Sequence, residues 1–228
     1  MLNQGEIIVY LHGGVYTYGN FNTYHTMLTH LASSLNSPMV YIEYSLSPEH
    51  PYPTANNEIF KVYKELQKKY KDYKITVMGD SAGGGLAIAL IKDAQKANLS
   101  MPASLALISP WIDLKCANDS YETKQALDPI LSKDFLYNHA LMYSSNNIKE
   151  ADPSELKFKK FPPVFLLVGT DEVLNDDARN FYTYITPIQK ISKFKEYDGQ
   201  KHVWLFSHID SKASIEAMED IKEFISSN

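Results

Sequence analysis

The sequence predicts an α/β fold, in which a mostly parallel β-sheet of about six strands is flanked by helices. Short apolar runs alternate along the chain with longer stretches of helical periodicity. The runs are apolar at consecutive positions, as strands buried on both faces of a parallel sheet require. One run also leads directly into a glycine-rich turn and then an apolar helix, at residues 79–94. The length of 228 residues and the 44% apolar content suit one globular domain, residues 1–228.

Each element follows from the spacing of its apolar residues. The predicted apolar strands lie at residues 7–11, 39–42, 75–78, 105–108 and 164–168, and a final, more polar strand is predicted at residues 194–197. Helical spacing of apolar residues occurs within residues 27–35, 55–70, 86–94, 178–185 and 215–225. Strands that alternate with helices are typical of right-handed crossovers between parallel strands.

One segment, residues 110–163, interrupts this alternation. It is polar, with a single helix-like piece near residues 135–143. Folds of this class bind their ligands at the carboxyl ends of the strands. We therefore expect residues 110–163 to be an insertion lying over the active-site edge of the sheet.

Composition excludes several classes of function. The chain has 22 Lys and Arg against 27 Asp and Glu, a net charge of −5, so a nucleic-acid partner is not expected. The lysines within residues 61–74 are interrupted by acidic residues on an amphipathic helix, which indicates a solvated face. No H-E-x-x-H or C-x-x-C pattern occurs, so no metal site is predicted.

The cysteine content and the start of the chain indicate a compartment. Cys116 is the single cysteine, so no intrachain disulfide can form. The first residues lack the basic start and long apolar run of a secretory signal, and no apolar stretch is long enough to span a bilayer. A cytoplasmic protein without a membrane span is the expectation.

The strongest motif is Gly79-Asp80-Ser81-Ala82-Gly83, a G-x-S-x-G sequence between an apolar strand and an apolar helix. This context is that of a nucleophile elbow, whose tight turn lifts the serine Oγ above the sheet edge. A phosphate-binding turn is the alternative, but neither Gly-Lys-Ser/Thr nor G-x-G-x-x-G fits. Ser81 is therefore predicted to be a catalytic nucleophile.

A second motif, His12-Gly13-Gly14-Val15, directly follows the first strand. In an α/β hydrolase this position supplies amide donors to the oxyanion hole, together with the amide after the nucleophile. The oxyanion-hole candidates are thus Gly13, Gly14, Val15 and Ala82. Among them Gly13 fits a turn position better, which leaves Gly14, Val15 and Ala82 as the favoured donors.

A catalytic serine needs a base, and the base needs an orienting acid. In this fold the order along the chain is serine, acid, histidine, with the last two on loops after late strands. Asp171 and His202 fill these positions. His208 is a weaker substitute for His202. Neighbouring carboxylates fit the start of a helix instead: Glu172, Asp176 and Asp177.

Taken together, the motifs resemble one family, the hormone-sensitive-lipase-like esterases of the α/β-hydrolase fold. The resemblance extends from residue 10 to about residue 206, in family order. It lies in residues 10–14, 44–53, 79–84, 109–114, 171–174 and 202–204.

The resemblance implies hydrolysis of small or short-acyl carboxylic esters through an acyl-serine, without a cofactor. Ser81 would attack the ester, His202 would transfer the proton, and Asp171 would hold the imidazole. Two alternatives stay open on sequence alone. One is a catalytically weak relative that binds a small ligand without turnover, and the other is an amide or peptide hydrolase.

Two departures from the family pattern stand out. Val15 occupies the place where the family commonly has a third glycine. The chain also begins at what would be the family's third strand, so the usual first two strands and the N-terminal cap are expected to be absent. An exposed sheet edge at or near the first strand would then allow a homodimer.

Overall fold

A computed structural model of the protein describes residues 5–228, and its centre is a six-stranded sheet. Every pair of neighbouring strands is parallel, in the order β2-β1-β3-β4-β5-β6. The predicted α/β class and the parallel sheet are confirmed. The strands are β1 (Glu6–Leu11), β2 (Met39–Ile42), β3 (Lys74–Asp80), β4 (Ser104–Ile108), β5 (Val164–Gly169) and β6 (Lys193–Tyr197).

Helices connect the strands and fill the polar segment between β4 and β5. A short 3-10 turn, Pro153–Glu155, completes that segment. The helices are α1 (Phe21–Leu35), α2 (Thr54–Lys69), α3 (Ala82–Lys96), α4 (Ser120–Thr123), α5 (Lys133–Ser144), α6 (Ile148–Ala151), α7 (Asn175–Ile185), α8 (Trp204–Ser207) and α9 (Lys212–Ser226).

The sheet separates two apolar cores, because successive side chains of a strand point to opposite faces. In β1, Val9 and Leu11 pack into the core under α2, α3 and α7. Ile8 and Tyr10 pack on the other side, under α1 and α9. Burial on both faces explains why the strands are apolar at consecutive positions.

The strand order reverses at β1, which places a crevice between β1 and β3. The chain leaves β1 toward β2 on one side, and β3 lies on the other. Leu11 pairs with Gly79, so His12 and Ser81 follow the same edge of the sheet. Ligands of open α/β sheets bind at such a switch point.

The edges of the described sheet are β2 and β6. The edge next to the first strand is therefore β2, and association of two copies through it stays a prediction. None of the helices within residues 5–228 combines the length and the apolar composition that crossing a bilayer requires.

Candidate active site

Ser81 lies on a sharp turn between the end of β3 and the start of α3. Its backbone has φ 51° and ψ −121°, a conformation that costs a non-glycine residue about 1–3 kcal/mol. A Cβ at Gly79 would lie 2.6 Å from the carbonyl oxygen of Gly83. The Ser81 amide is held by the carbonyl of Ile108 at 3.0 Å. The predicted strand–turn–helix context of the nucleophile elbow is present.

His202 joins Ser81 to a carboxylate. Its Nε2 lies 3.0 Å from Ser81 Oγ, and its Nδ1 lies 3.0 Å from Glu172 Oε2. An ionised carboxylate only accepts hydrogen bonds, so Nδ1 carries the proton in the neutral ring and Nε2 accepts from the serine hydroxyl. All three side chains are buried. This arrangement can pass a proton from Ser81 to His202.

Glu172, and not Asp171, is the carboxylate that contacts His202. Glu172 is fully buried, and its second oxygen accepts hydrogen bonds from Ser109 Oγ at 2.8 Å and from the Gly169 amide at 2.5 Å. Asp171 points away and accepts from Lys201 Nζ at 2.7 Å. The Lys201 ammonium lowers the pKa of Asp171. The sequence-based choice of Asp171 is therefore wrong in this geometry.

The physical reason is the direction of two consecutive side chains in one turn. Both residues lie after β5 on the loop predicted for the acid, but only one of them can face the crevice. The Asp171 amide donates to the carbonyl of Gln200, and this contact sets Asp171 against Lys201 and Glu172 against His202. No signal in the sequence separates the two carboxylates, because they are adjacent on the same loop.

Of the predicted oxyanion-hole residues, Gly13 does not offer its amide. The Gly13 N–H lies 3.0 Å from Asp80 Oδ1 and 3.0 Å from the Tyr24 hydroxyl. A Cβ at Gly13 would also lie only 2.9 Å from Ser81 Cβ. Gly13 is thus a close-approach position that ties the loop after β1 to the elbow, and its inclusion among the donors is corrected.

The other three candidates keep their amides free. Within residues 5–228, the N–H groups of Gly14, Val15 and Ala82 have no hydrogen-bond acceptor. Gly14 has φ 100°, which only glycine adopts readily, and Val15 follows with φ 49°. Gly14 and Val15 line the same cavity as Ser81, and Ala82 is the next residue after Ser81 in the chain. Unpaired amides beside a serine hydroxyl are suited to hold a developing oxyanion.

Aromatic rings hold the loop that carries these amides. His12 stacks on Tyr44 with ring centroids 4.1 Å apart, and burial lowers the pKa of His12 to about 4, so its ring is neutral. Tyr16 stacks on Tyr143 of α5 with centroids 3.8 Å apart. The loop after β1 is therefore packed against both α5 and the chain that follows β2.

Ser81 and His202 open into a cavity of about 240 Å³. Its walls are mostly apolar, and part of them comes from residues 110–163, through Ile130, Leu131 and Phe135. The remaining lining residues are Gly14, Val15, Tyr18, Tyr24, Asp80, Val203, Phe206 and Ser207.

No group of three or more His, Cys, Asp or Glu side chains within residues 5–228 is placed to hold a metal ion.

Comparison with known proteins identifies the family. Residues 8–206 match a family model described as alpha/beta hydrolase fold. An esterase of Acinetobacter venetianus is 33% identical over 227 residues, which is 97% of this chain and 75% of that protein. A crystal structure of an esterase from the bacterial hormone-sensitive lipase family superposes with a TM-score of 0.94 at 29% identity, covering 99% of this chain and 77% of that one.

The chain belongs to the hormone-sensitive-lipase-like esterases of the α/β-hydrolase fold. An acetyl-hydrolase of Streptomyces hygroscopicus is 30% identical over 90% of this chain and 70% of its own length. An esterase/lipase from an uncultured bacterium has a TM-score of 0.92 at 32% identity, over 99% of this chain and 78% of that one. These relatives support a hydrolase that acts on esters.

Next to the serine, this member of the hormone-sensitive-lipase-like esterases buries a second carboxylate. Asp80 accepts hydrogen bonds from the hydroxyls of Tyr10 at 2.8 Å and Tyr24 at 3.0 Å, besides the Gly13 amide. Burial raises the pKa of Asp80 to about 6, although these donors act in the opposite direction. Asp80 thus links the elbow to the loop that carries the free amides.

The raised pKa of Asp80 predicts an unusual pH dependence of stability. An unfolded aspartate ionises near pH 4, whereas folded Asp80 ionises near pH 6, so folding becomes less favourable as pH rises between these values. We expect the free energy of unfolding of the wild type, relative to Asp80→Asn, to fall by an amount on the order of 3 kcal/mol from pH 4 to pH 7. Urea unfolding at fixed pH values measures it.

Asp171→Asn is the matched control for this experiment. The pKa of Asp171 is lowered, chiefly by Lys201, so its contribution to stability is lost as the pH falls, the opposite direction. The prediction would be contradicted if the free energy of unfolding of the wild type, relative to that of Asp80→Asn, stayed constant or increased with pH.

Proposed function

We propose that the protein is a serine carboxylesterase that hydrolyses small or short-acyl carboxylic esters through an acyl-serine intermediate. The observation that carries the proposal is the relay through His202, with Ser81 and Glu172 each 3.0 Å from one of its ring nitrogens. The relay opens into a cavity beside unpaired amides. A serine, a base and oxyanion donors in one place are the parts that acyl transfer requires.

In the first half-reaction Ser81 Oγ attacks the ester carbonyl carbon while His202 Nε2 takes the hydroxyl proton. The carbonyl oxygen becomes an oxyanion held by the amides of Gly14, Val15 and Ala82. Glu172 accepts from Nδ1–H and stabilises the imidazolium. The bond to the alkoxy group then breaks, His202 passes its proton to the departing alcohol, and the acyl group stays on Ser81.

In the second half-reaction water replaces the alcohol. His202 takes a proton from the water, whose oxygen attacks the acyl-serine carbonyl. A second tetrahedral intermediate forms at the same amides. Its collapse releases the carboxylic acid and returns the proton to Ser81 Oγ, so the enzyme is restored without a cofactor.

The cavity supports a small acyl group. The cavity volume of about 240 Å³ is below the usual range for small-molecule sites, and the cavity walls are mostly apolar. Two relatives are named an acetyl-hydrolase and an esterase, which agrees with a short acyl chain and an ester bond. We expect acetyl and butyryl esters to be better substrates than octanoyl esters.

The test combines turnover with covalent labelling of the wild-type protein. We expect hydrolysis of p-nitrophenyl acetate and butyrate, weaker hydrolysis of the octanoate, and a fluorophosphonate adduct that peptide mass spectrometry locates on Ser81. A folded sample that forms no adduct on Ser81 and gives no turnover would sink the proposal. Faster cleavage of the matched p-nitroanilide would instead indicate an amide hydrolase.

A further inference from the structure

Ser109 lies at the carboxyl end of β4, between the strands that present Ser81 and Glu172. Its side chain is fully buried. Its backbone has φ 46°, and its amide donates to the carbonyl of Leu167 in β5 at 2.7 Å. The hydroxyl is therefore held at the edge of the sheet by the backbone of two neighbouring strands.

The Ser109 hydroxyl contacts both loops that complete the relay. It donates to Glu172 Oε1 at 2.8 Å and accepts from the Val203 amide at 3.2 Å. The direction is fixed, because a carboxylate cannot donate and an amide N–H cannot accept. Within residues 5–228, no other side chain hydrogen-bonds both to Glu172 and to the peptide that follows His202.

We infer that Ser109 is a positioning residue, which sets the orientation of Glu172 and of the His202–Val203 peptide relative to each other. This inference rests on the proposed function. Without the hydroxyl, Glu172 Oε1 keeps only the Gly169 amide, and the Val203 amide loses its acceptor in a buried place. Both losses act on the carboxylate–imidazole pair.

We expect removal of the Ser109 hydroxyl to slow the chemical step and to leave substrate binding largely unchanged. Ser109 does not line the cavity that Ser81 opens into. Hydrogen bonds to charged groups contribute enough that removing one lowers a rate by about tenfold to a hundredfold. We expect Ser109→Ala to lower kcat by this factor and to change KM by less than about threefold.

Ser104→Ala is the matched control. Ser104 is a buried serine at the opposite end of the same strand, and its hydroxyl lies 3.0 Å from Thr76 Oγ1. Its replacement also removes a buried hydroxyl from β4, but at a distance from the relay. We expect Ser104→Ala to keep kcat within about twofold of the wild type.

A double-mutant cycle gives a readout that a general loss of stability would not produce. In a Glu172→Gln background there is no carboxylate for Ser109 to orient, so adding Ser109→Ala should lower kcat by less than about threefold. An equal loss in both backgrounds would overturn the inference. Ser109→Gly provides a second variant, because glycine adopts φ 46° without strain.

The same assay separates this inference from the proposed function. Wild-type turnover of p-nitrophenyl acetate and its loss in Ser81→Ala are measured alongside. If they hold and both Ser109 variants keep the wild-type kcat, only the positioning role of Ser109 fails. If the folded wild type gives no turnover, the proposed function fails and the inference fails with it.

Discussion

Glu172→Gln is expected to lower kcat for ester hydrolysis by about 10³- to 10⁴-fold. The neutral amide can donate to His202 Nδ1, which moves the ring proton to Nε2 and leaves no acceptor for the Ser81 hydroxyl. Glutamine also lacks the charge that stabilises the imidazolium in the transition state. Steady-state kinetics with p-nitrophenyl acetate measure the effect, and circular dichroism confirms that the variant is folded.

Asp171→Asn is the control from the adjacent position. Its carboxylate is bound to Lys201 at 2.7 Å outside the relay, so kcat should stay within about twofold of the wild type. If Asp171→Asn lost as much activity as Glu172→Gln, the assignment of the acid to Glu172 would be wrong. The two variants thus decide between neighbouring carboxylates.

Ser81→Ala is expected to remove turnover almost completely, by about 10⁵- to 10⁶-fold in kcat. Alanine keeps the turn between β3 and α3 but has no oxygen to form the acyl intermediate. The fluorophosphonate adduct should disappear together with the activity. The measurement is kcat by stopped or continuous assay, with intact-protein mass spectrometry for the adduct.

Ser207→Ala tests whether any serine in the cavity can serve. Ser207 lines the same cavity but has no hydrogen bond to His202 within residues 5–228. We expect this variant to keep both labelling and turnover within about twofold of the wild type. If the fluorophosphonate adduct still formed in Ser81→Ala but not in Ser207→Ala, Ser207 would be the nucleophile.

The fold could be predicted because burial leaves a direct trace in the sequence. β5 is apolar along its length and β1 is apolar from Ile7 to Leu11, since both faces of these strands are covered, and helices such as α9 show one apolar face. Ser81 and His202 could be placed by the elbow motif and by their order along the chain. These features can be recognised in the sequence itself, so predicting them requires no knowledge of contacts between distant segments.

The remainder of the site depends on contacts between distant segments. Asp171 and Glu172 are equivalent by position, and only the contact of their loop with residues 200–202 decides which one faces the histidine. The Gly13 amide is taken by Asp80, which lies 67 residues further along the chain. No local pattern indicates either partner.

The position of α5 couples the substrate range of the protein to its catalytic strength. One helix supplies Phe135 to the wall of the cavity and Tyr143 to the ring stack that holds the loop bearing Gly14 and Val15. Substitutions that shift α5 to admit bulkier acyl groups would also displace those amides. Laboratory evolution toward longer esters should therefore first yield variants that accept a wider range of acyl chains but have a lower kcat. A second substitution that restores the Tyr16–Tyr143 contact should then raise kcat again.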